Sequence, residues 1–188
     1  TTNATDICVP TSAVGAENMK LVSNSYLSAI IATNKAKMRT AFEKANVNSP
    51  KSFCIENSDL FEASKFNYPL IVKPTDRSGS RGVSKVYNPS ELKNAVERGL
   101  QESLEKKVII EEFIEGVEVS VESISWQGRH YILTITDKVT TGEPYFVELE
   151  HHQPSLLASE IQDEIKKETI KALNALEIQY GASHSEFK

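Results

Sequence analysis

Residues 69–83 read Pro-Leu-Ile-Val-Lys-Pro-Thr-Asp-Arg-Ser-Gly-Ser-Arg-Gly-Val, and the architecture is most readily inferred from them. A short apolar strand is predicted to end at Lys73, and a loop rich in glycine, serine and arginine follows at once. Glycine adopts unusual backbone angles at little steric cost, so the loop N–H groups can converge on phosphate oxygens beside one ammonium group. The alternative is a polar hairpin loop with a solvated lysine. The order differs from the GxxxxGK[ST] phosphate loop, since here the lysine precedes the loop.

The segments after this loop predict more strand and one helix. Residues 83–87 predict a second strand, and Asn88-Pro89-Ser90-Glu91 predicts a helix start with an asparagine cap and a glutamate that completes a capping box. Lys107–Ile110 is a compact apolar strand. The buried stripe of the helix is predicted to comprise Leu92, Ala95, Val96, Leu100 and Leu104.

A hinge between two lobes is predicted where this strand runs into Glu111-Glu112-Phe113-Ile114 and then Gly116. Extended backbone there exposes C=O and N–H groups that can bind the amino group and a ring nitrogen of adenine. The carboxylate of Glu118 can accept hydrogen bonds from two ribose hydroxyl groups. The alternative is a solvated strand face, which is the commoner situation for acidic residues.

The rest of the chain predicts antiparallel strands with helices on one side. Residues 117–126 and 131–139 alternate apolar and polar side chains, and Gln127-Gly128 joins them as a hairpin. Together these elements predict an α+β fold. The other predicted elements are a helix capped by Thr33-Asn34 and running to about Ala45, a strand over Phe53–Ile55, a helix over 58–66, an extended piece over Phe146–Leu149, a helix from Ser159 and a strand over Ala182–Phe187.

The last predicted strand carries a candidate metal ligand. In His184-Ser185-Glu186 the histidine and the glutamate point to the same side of a strand. A carboxylate such as that of Glu186 suits Mg²⁺, which prefers oxygen ligands and phosphate bridging. Zinc at His151-His152 is the weaker alternative, because no ligand spacing resembles a zinc motif.

Composition and charge argue against several classes of function. With 188 residues, 39% hydrophobic and 25% charged, the chain has the composition of one globular domain or two packed lobes. A net charge of -5 argues against a nucleic-acid surface, and no apolar run approaches the ~20 residues that span a bilayer. We expect no signal peptide, reduced Cys8 and Cys54, and a cytoplasmic protein. Because the sequence stops at Lys188 within a predicted strand, we also expect a fragment of a longer protein.

Together these segments resemble the ATP-grasp superfamily of carboxylate–amine and carboxylate–thiol ligases, in family order over about residues 33–188. Residues 34–39, Asn-Lys-Ala-Lys-Met-Arg, are similar to the family's DK..mr helix, and residues 70–74 to its P.ivKP strand. Residues 77–83 resemble the mobile glycine-rich loop that closes over the phosphates. Residues 146–154 are similar to a stretch of the branch that contains amino-acid ligases and carbamoyl-phosphate synthase-like proteins.

The resemblance implies a role for each matching residue. Lys35 and Lys73 contact ATP phosphates, Lys73 and Arg81 take part in catalysis, and Glu186 is the first of two acidic Mg²⁺ ligands. Glu118 binds the ribose, and His151 lies in the groove. The remaining nucleotide-binding residues are Ser78, Gly79, Ser80, Gly82 and Val83 in the loop, and Glu111, Glu112, Phe113 and Ile114 at the hinge.

The resemblance also implies an incomplete ATP-grasp fold, with two lobes of antiparallel sheet plus helices. Residues 1–50 are then the end of a preceding domain and a linking helix, 51–112 the small lobe with the phosphate loop, and 113–188 a truncated large lobe. In the family pattern the second acidic metal ligand and an arginine follow later than Lys188, so we expect the fragment itself to be inactive.

The implied function is ATP binding within a ligase that joins a small-molecule carboxylate to an amine through an acylphosphate, with Mg²⁺ and no protein nucleophile. Neither nucleic acid nor membrane is an expected partner, and the resemblance allows a homodimer. Two alternatives stay open. One is a non-catalytic ATP-binding module for regulation or scaffolding, and the other is a ligase that makes a thioester or carboxyphosphate. The sequence names neither substrate.

Overall fold

A computed structural model describes residues 6–56, 67–142 and 147–188 of the chain. The described residues form two four-stranded antiparallel sheets and five α-helices. The predicted α+β class is therefore confirmed. The helix predicted over 58–66 and the beginning, at Phe146, of the predicted extended piece lie outside the described residues.

Three helices precede the first strand. After a 3₁₀ turn at Asp6–Cys8, they are α1 (Val9–Asn18), α2 (Tyr26–Thr33) and α3 (Lys35–Lys44). Polar caps fix where two of them begin, because the N–H of Ser28 donates to Oγ of Ser25 at 3.0 Å and the N–H of Lys37 donates to Oδ1 of Asn34 at 3.1 Å. The predicted cap at Asn34 is thereby confirmed.

The first sheet and one helix lie between residues 52 and 112. The elements are β1 (Ser52–Ile55), β2 (Leu70–Pro74), β3 (Ser84–Val86), α4 (Pro89–Glu102) and β4 (Val108–Glu112). The strand order is β1-β4-β2-β3, so the strand that carries Lys73 is central. Leu70, Val72 and Ile110, each 0% exposed, pack with Val96 of α4 in one apolar core. This core fixes the position of β2, the strand that precedes the glycine-rich loop.

Helix α4 begins at the predicted place but its predicted buried stripe is partly wrong. Oδ1 of Asn88 accepts the N–H of Ser90 at 3.1 Å, whereas the Glu91 carboxylate accepts the N–H of Tyr87 at 2.9 Å, so the capping box closes one residue upstream of the prediction. Leu104 is 57% exposed, because the helix ends at Glu102.

The second sheet is built on the predicted hairpin. The elements are β5 (Glu118–Trp126), β6 (Arg129–Thr140), β7 (Glu148–His152), α5 (Ser159–Ala175) and β8 (Tyr180–Phe187). The strand order is β7-β6-β5-β8, and Gln127-Gly128 joins β5 to β6 with positive φ at both residues, as tight hairpins require. Val117, predicted on the buried face, precedes β5 and is 66% exposed.

Helix α5 packs against two parts of the molecule. On one side Ile165 lies against the core formed by Val119 and Val121 of the second sheet. On the other side Leu173 belongs to the cluster that contains Phe42 of α3. Helix α3, which begins at Lys35, is thus attached to the second sheet through α5. The polar face of that sheet is left for the side chains described below.

Candidate functional site

A buried carboxylate joins the lysine of β2 to helix α3. Glu111, at 3% exposure, lies 2.5 Å from Nζ of Lys73 and 2.7 Å from Nε of Arg39. Burial opposes ionisation of Glu111, but the charges of Lys73 and Arg39, and the hydrogen bonds that they donate, lower its pKa. The side chain of Glu111, predicted to bind the nucleotide at the hinge, therefore binds two cations of the protein in the structure.

The side chain of Lys35 is bonded to the base of the glycine-rich loop. As the first residue of α3, Lys35 donates its N–H to the carbonyl of Thr75 at 2.8 Å, and its ammonium group donates to the carbonyl of Arg77. Burial lowers the pKa of Lys35, and the positive charge of Lys73 lowers it further. The positive charges of Lys35 and Lys73 thus act on each other near the start of the glycine-rich loop, where they can help to neutralise a polyanion.

The glycine-rich loop has an anchored base and an exposed tip. Positive φ occurs at Gly79 (67°), Ser80 (54°) and Gly82 (69°), as the loop composition predicted. Ser78, Gly79, Ser80 and Arg81 are exposed, and the N–H of Val83 donates to the carbonyl of Ser80 at 3.3 Å. A Cβ at Gly82 would meet Pro74 at 2.9 Å, so glycine is required for close packing there.

The predicted hinge follows β4 directly. The N–H of Glu112 donates to the carbonyl of Lys51 at 3.1 Å, and the N–H of Phe113 donates to that of Pro69 at 3.2 Å. The ring of Phe113 lies 3.6 Å from Nζ of Lys85, and Ile114 is 42% exposed. Two of the N–H groups predicted at the hinge are therefore bound to the protein's own carbonyl groups.

A buried lysine of β6 gathers three carboxylates from three other strands. The side chain of Lys138 is 1% exposed, and its Nζ lies 2.9 Å from Glu118, 2.7 Å from Glu148 and 2.6 Å from Glu186. Burial disfavours the ammonium form, but the bonds to Glu148, Glu186 and Glu118 raise the pKa of Lys138 above its ordinary value. The predicted ribose acid Glu118 and metal ligand Glu186 thus belong to one cluster.

A second pair of side chains flanks Glu186. Nδ1 of His184 lies 2.6 Å from the Glu122 carboxylate, and its Nε2 lies 3.7 Å from that of Glu186. The Glu186 and Glu122 carboxylates raise the pKa of His184 to about 9 against the effect of burial. The imidazole of His184, together with Lys138, holds the pKa of Glu186 at about 2. Glu186 is thus ionised, as a ligand for a divalent cation must be.

The carboxylate cluster offers the donor set that Mg²⁺ prefers. Among the described residues, Glu118, Glu148 and Glu186 present oxygens that all lie within 4.8 Å of one another. His151 adjoins this cluster, because its Nε2 lies 3.0 Å from Glu148 and its Cα pairs with that of Lys138. The oxygen donors fit a hard cation better than zinc.

Lys188 lies between the predicted hinge and the carboxylate cluster. Nζ of Lys188 lies 5.7 Å from the ring centroid of Phe113 and 3.7 Å from the Glu118 carboxylate. Two shallow cavities, of about 230 and 460 Å³, both border Arg39, and neither Lys35 nor Lys73 lines them. The arrangement of charges therefore indicates the site better than these cavities do.

Sequence reasoning missed three members of these clusters, namely Arg39, Lys138 and Glu148. A signal existed for one of them. Counting outward along both strands from the turn at Gln127-Gly128 brings Glu118 opposite residues 137–138, and the structure pairs Glu118 with Lys138. A lysine facing an acid on the polar side of a hairpin is a candidate for such a pair.

Comparison with known proteins gives a family match over most of the chain. The model of the family described as ATP-grasp domain matches residues 66–188. An alanine–anticapsin ligase of Bacillus subtilis (strain 168) is 30% identical over 212 residues, covering 100% of this chain and 44% of that protein. A D-alanine–D-alanine ligase of Flavobacterium johnsoniae is 26% identical over 175 residues, covering 88% of this chain and 53% of that protein. The chain spans about half the length of these relatives.

A solved structure agrees with the sequence relatives. The L-amino acid ligase from Bacillus licheniformis superimposes on this chain with a TM-score of 0.85 and is 29% identical, covering 97% of this chain and 43% of that chain. Within residues 6–56, 67–142 and 147–188, no helix is both long enough and apolar enough to cross a membrane.

Proposed function

Because the chain belongs to the ATP-grasp family, as its motifs predicted, we propose that it is the ATP-binding part of an ATP-dependent ligase that joins a carboxylate to an amine. The observation that carries this proposal is the bond from the ammonium group of Lys35 to the base of the glycine-rich loop, where the charge of Lys73 also acts on it. Lys73 is paired with Glu111, but the half-buried ammonium group of Lys35 is repelled by Lys73, so binding of a polyanion would be favourable there. The triphosphate of ATP is such a polyanion.

The rest of the nucleotide has proposed contacts on either side of these lysines. N–H groups at the exposed loop residues 78–81 would donate to phosphate oxygens, and Gly82 and Val83 would complete the loop around them. Backbone at residues 112–114 would bind adenine, and Glu118 would accept the ribose hydroxyl groups. Glu186, with Glu148 beside it, would hold Mg²⁺, which when bound neutralises charge on the phosphates.

The proposed reaction has two steps. An oxygen of the substrate carboxylate attacks the γ-phosphorus of ATP, and the bond between this phosphorus and the bridging β-phosphate oxygen breaks. The products of this step are an acylphosphate and ADP. The nitrogen of the amine then attacks the acyl carbon, phosphate leaves, and an amide forms after loss of a proton. Lys35, Lys73 and Arg81 would stabilise negative charge on the transferred phosphoryl group, and the closed loop would exclude water from the acylphosphate.

We propose that both substrates are small molecules, since the printed names of the relatives are those of ligases for alanine and other amino acids. His151, next to Glu148, would line their groove. The proposed division into lobes at residues 51–112 and 113–188 follows the two sheets, with residues 1–50 preceding them. A cytoplasmic location and a homodimer are further parts of this proposal.

Calorimetric titration with ATP tests the binding part of the proposal. We expect Lys73→Gln to weaken ATP binding about tenfold or more, because one charge-assisted contact to phosphate is lost. The matched control is Lys93→Gln, since Lys93 is exposed on α4 and should bind ATP as the unchanged chain does. Circular dichroism checks that both variants fold. Equal affinity of the two variants would contradict the role of Lys73.

Release of ADP tests the catalytic part. The full-length protein is incubated with ATP, Mg²⁺ and pairs of amino acids, and ADP is measured together with the dipeptide product. Release that needs both substrates supports the ligase. Binding of ATP without release in any pair would support the alternative of a non-catalytic module. Release with a thiol in place of the amine, or with bicarbonate in place of the carboxylate, would support the other alternative.

A further inference from the structure

Arg77 connects two helices through two of its own groups. Its Nε donates to the carbonyl of Glu102 at 2.6 Å, and its carbonyl accepts from the ammonium group of Lys35. Glu102 is the last residue of α4 and Lys35 is the first residue of α3. A single loop residue therefore bridges the end of one helix to the phosphate lysine at the start of another.

The end of α4 is a favourable place for the guanidinium group of Arg77. The last carbonyl groups of a helix have no partner within the helix, and the helix dipole places partial negative charge there. An arginine N–H both satisfies such a carbonyl and complements that charge. Arg77 is half-buried, whereas its bond to the carbonyl of Glu102 lies at the exposed surface.

Other contacts of the loop meet the same end of α4. A Cβ on Gly82 would lie 3.0 Å from Cβ of Glu102, so the second half of the loop packs closely on this residue. Oδ2 of Asp76 accepts the N–H of Glu105 at 2.8 Å, just after the helix. The loop is thus fixed at its base on both sides, while residues 78–81 stay exposed.

Lys35 needs such a fixed partner. The neighbouring charge of Lys73 repels its ammonium group, and burial keeps water from compensating it. The ammonium group has three donors, of which one binds the carbonyl of Arg77 and the others can reach a ligand. We propose that Arg77 is a positioning residue that holds Lys35 beside Lys73 for the triphosphate, an inference that rests on the proposed function.

Comparison of ATP with adenosine tests this role. Both ligands contact the adenine and ribose side of the site, but only ATP reaches the lysines. Calorimetry on Arg77→Ala should show ATP affinity reduced about tenfold with adenosine affinity within about twofold, the change expected for one well-placed charge-assisted bond. Arg77→Lys keeps a cation that can bond the Glu102 carbonyl, and it should recover part of the ATP affinity. Arg98→Ala, an exposed arginine of α4, should leave both affinities unchanged.

Three results would overturn the positioning role of Arg77. Equal loss for ATP and adenosine in Arg77→Ala, or no loss for either, overturns the positioning role. Failure of both Arg77 variants to give the circular dichroism of the unchanged chain overturns it as well, because Arg77 would then be needed for folding. Absence of ATP binding by the unchanged chain counts against the proposed function itself, so the two failures are distinguishable.

Discussion

The carboxylate of Glu111 joins three elements of the molecule through charge. It bonds Lys73 of β2 and Arg39 of α3 from its own place on β4, and the side chains of these two cations are only 19% and 22% exposed. Water has little access to either cation. Removal of the carboxylate would therefore leave two poorly solvated positive charges near each other.

We expect Glu111→Gln to destabilise the chain by about 2 kcal/mol, less than for a fully buried pair because both cations keep some contact with water. Urea denaturation measures this change. The matched control is the next residue, Glu112→Gln, whose partner Lys51 has an 82% exposed side chain at 3.8 Å. That variant should change stability by less than about 0.5 kcal/mol. Similar values for the two variants would show that Glu111 does not act as described.

The lowered pKa of Glu111 gives the same carboxylate a pH dependence. Its unfolded form takes up a proton at higher pH than its folded form, so its stabilising contribution is present above the unfolded pKa and is lost as pH falls through the folded pKa. Urea midpoints between about pH 7 and pH 3 should therefore fall less for Glu111→Gln than for the unchanged chain. Parallel curves for the two proteins would be inconsistent with a lowered pKa.

At this scale the sequence predicted the lysines better than their partners. Lys73 was singled out because a lysine that ends an apolar strand is poorly explained by stability, and Lys35 because of the resemblance to the family. Their phosphate-binding roles stay predictions. For Lys138 the hairpin indicates only one partner, Glu118. The other two carboxylates of its cluster come from two further strands, which only the sheet order brings to it. Predicting such a cluster requires the register of β6, β7 and β8.

Helix α4 supports the glycine-rich loop and depends on one small residue for its position. Gly99 is buried in its last turns, and a Cβ there would lie 2.6 Å from Cγ1 of Val108, which is itself 0% exposed. No flexible side chain can move away, because Val108 belongs to the core strand β4. The distance between α4 and the first sheet is therefore set by a glycine.

We expect Gly99→Ala to destabilise the chain by about 1 kcal/mol, because overpacking against Val108 outweighs the better helix propensity of alanine. The matched control is Gly15→Ala in α1, where nothing lies within 4 Å of the added Cβ. That change should be stabilising by about 0.5 kcal/mol or more. Thermal denaturation followed by circular dichroism measures both. Stabilisation by Gly99→Ala would mean that α4 can shift away from the sheet.

Among the elements, those with a local signal were predictable. The cap at Asn34 and the tight turn at Gln127-Gly128 predicted a helix start and a hairpin that the structure confirms. The end of α4 had no such signal, so the apolar spacing was followed too far and Leu104 was placed in the core. Local chemistry fixes where an element begins more clearly than periodicity fixes where it ends.

On the scale of the whole molecule, helix α3 lies between the two sheets. Its Phe42 side packs into the apolar cluster with Leu173 and Leu176 near the end of α5. Arg39, whose guanidinium carbon lies 5.9 Å from the centroid of the Phe42 ring, bonds Glu111 of the first sheet. The position of Lys35 therefore depends on contacts with both halves of the molecule.

We expect Phe42→Ala to destabilise the chain by about 3 kcal/mol, since the side chain is 9% exposed and would leave a cavity. Hydrogen exchange should increase in α3 and α5 together, while the central strands β2 and β4 stay protected. Leu27→Ala on α2, a side chain 58% exposed, is the control and should change neither stability nor exchange appreciably. A uniform increase in exchange over all elements would show one cooperative unit instead.

The long-range order of the strands could not be derived from pattern alone. Strand β1 pairs with β4, more than fifty residues later, and no turn chemistry indicates this partner. The resemblance to a family supplied the two-sheet architecture, whereas periodicity supplied only the class of fold. Contacts between distant segments, such as Phe42 with α5, depend on shapes that a single sequence does not display.

Helix α3 is held to α5 by apolar contacts and to the first sheet by polar bonds. Apolar contacts with α5 have no substitute in water, whereas the polar bonds to Glu111 and Thr75 can be exchanged for bonds to solvent. We therefore expect that entry or release of the proposed nucleotide would separate α3 from the first sheet, while α3 stays packed on α5. Lys35 would then move away with α3, while Lys73 would stay bonded to Glu111 in the first sheet.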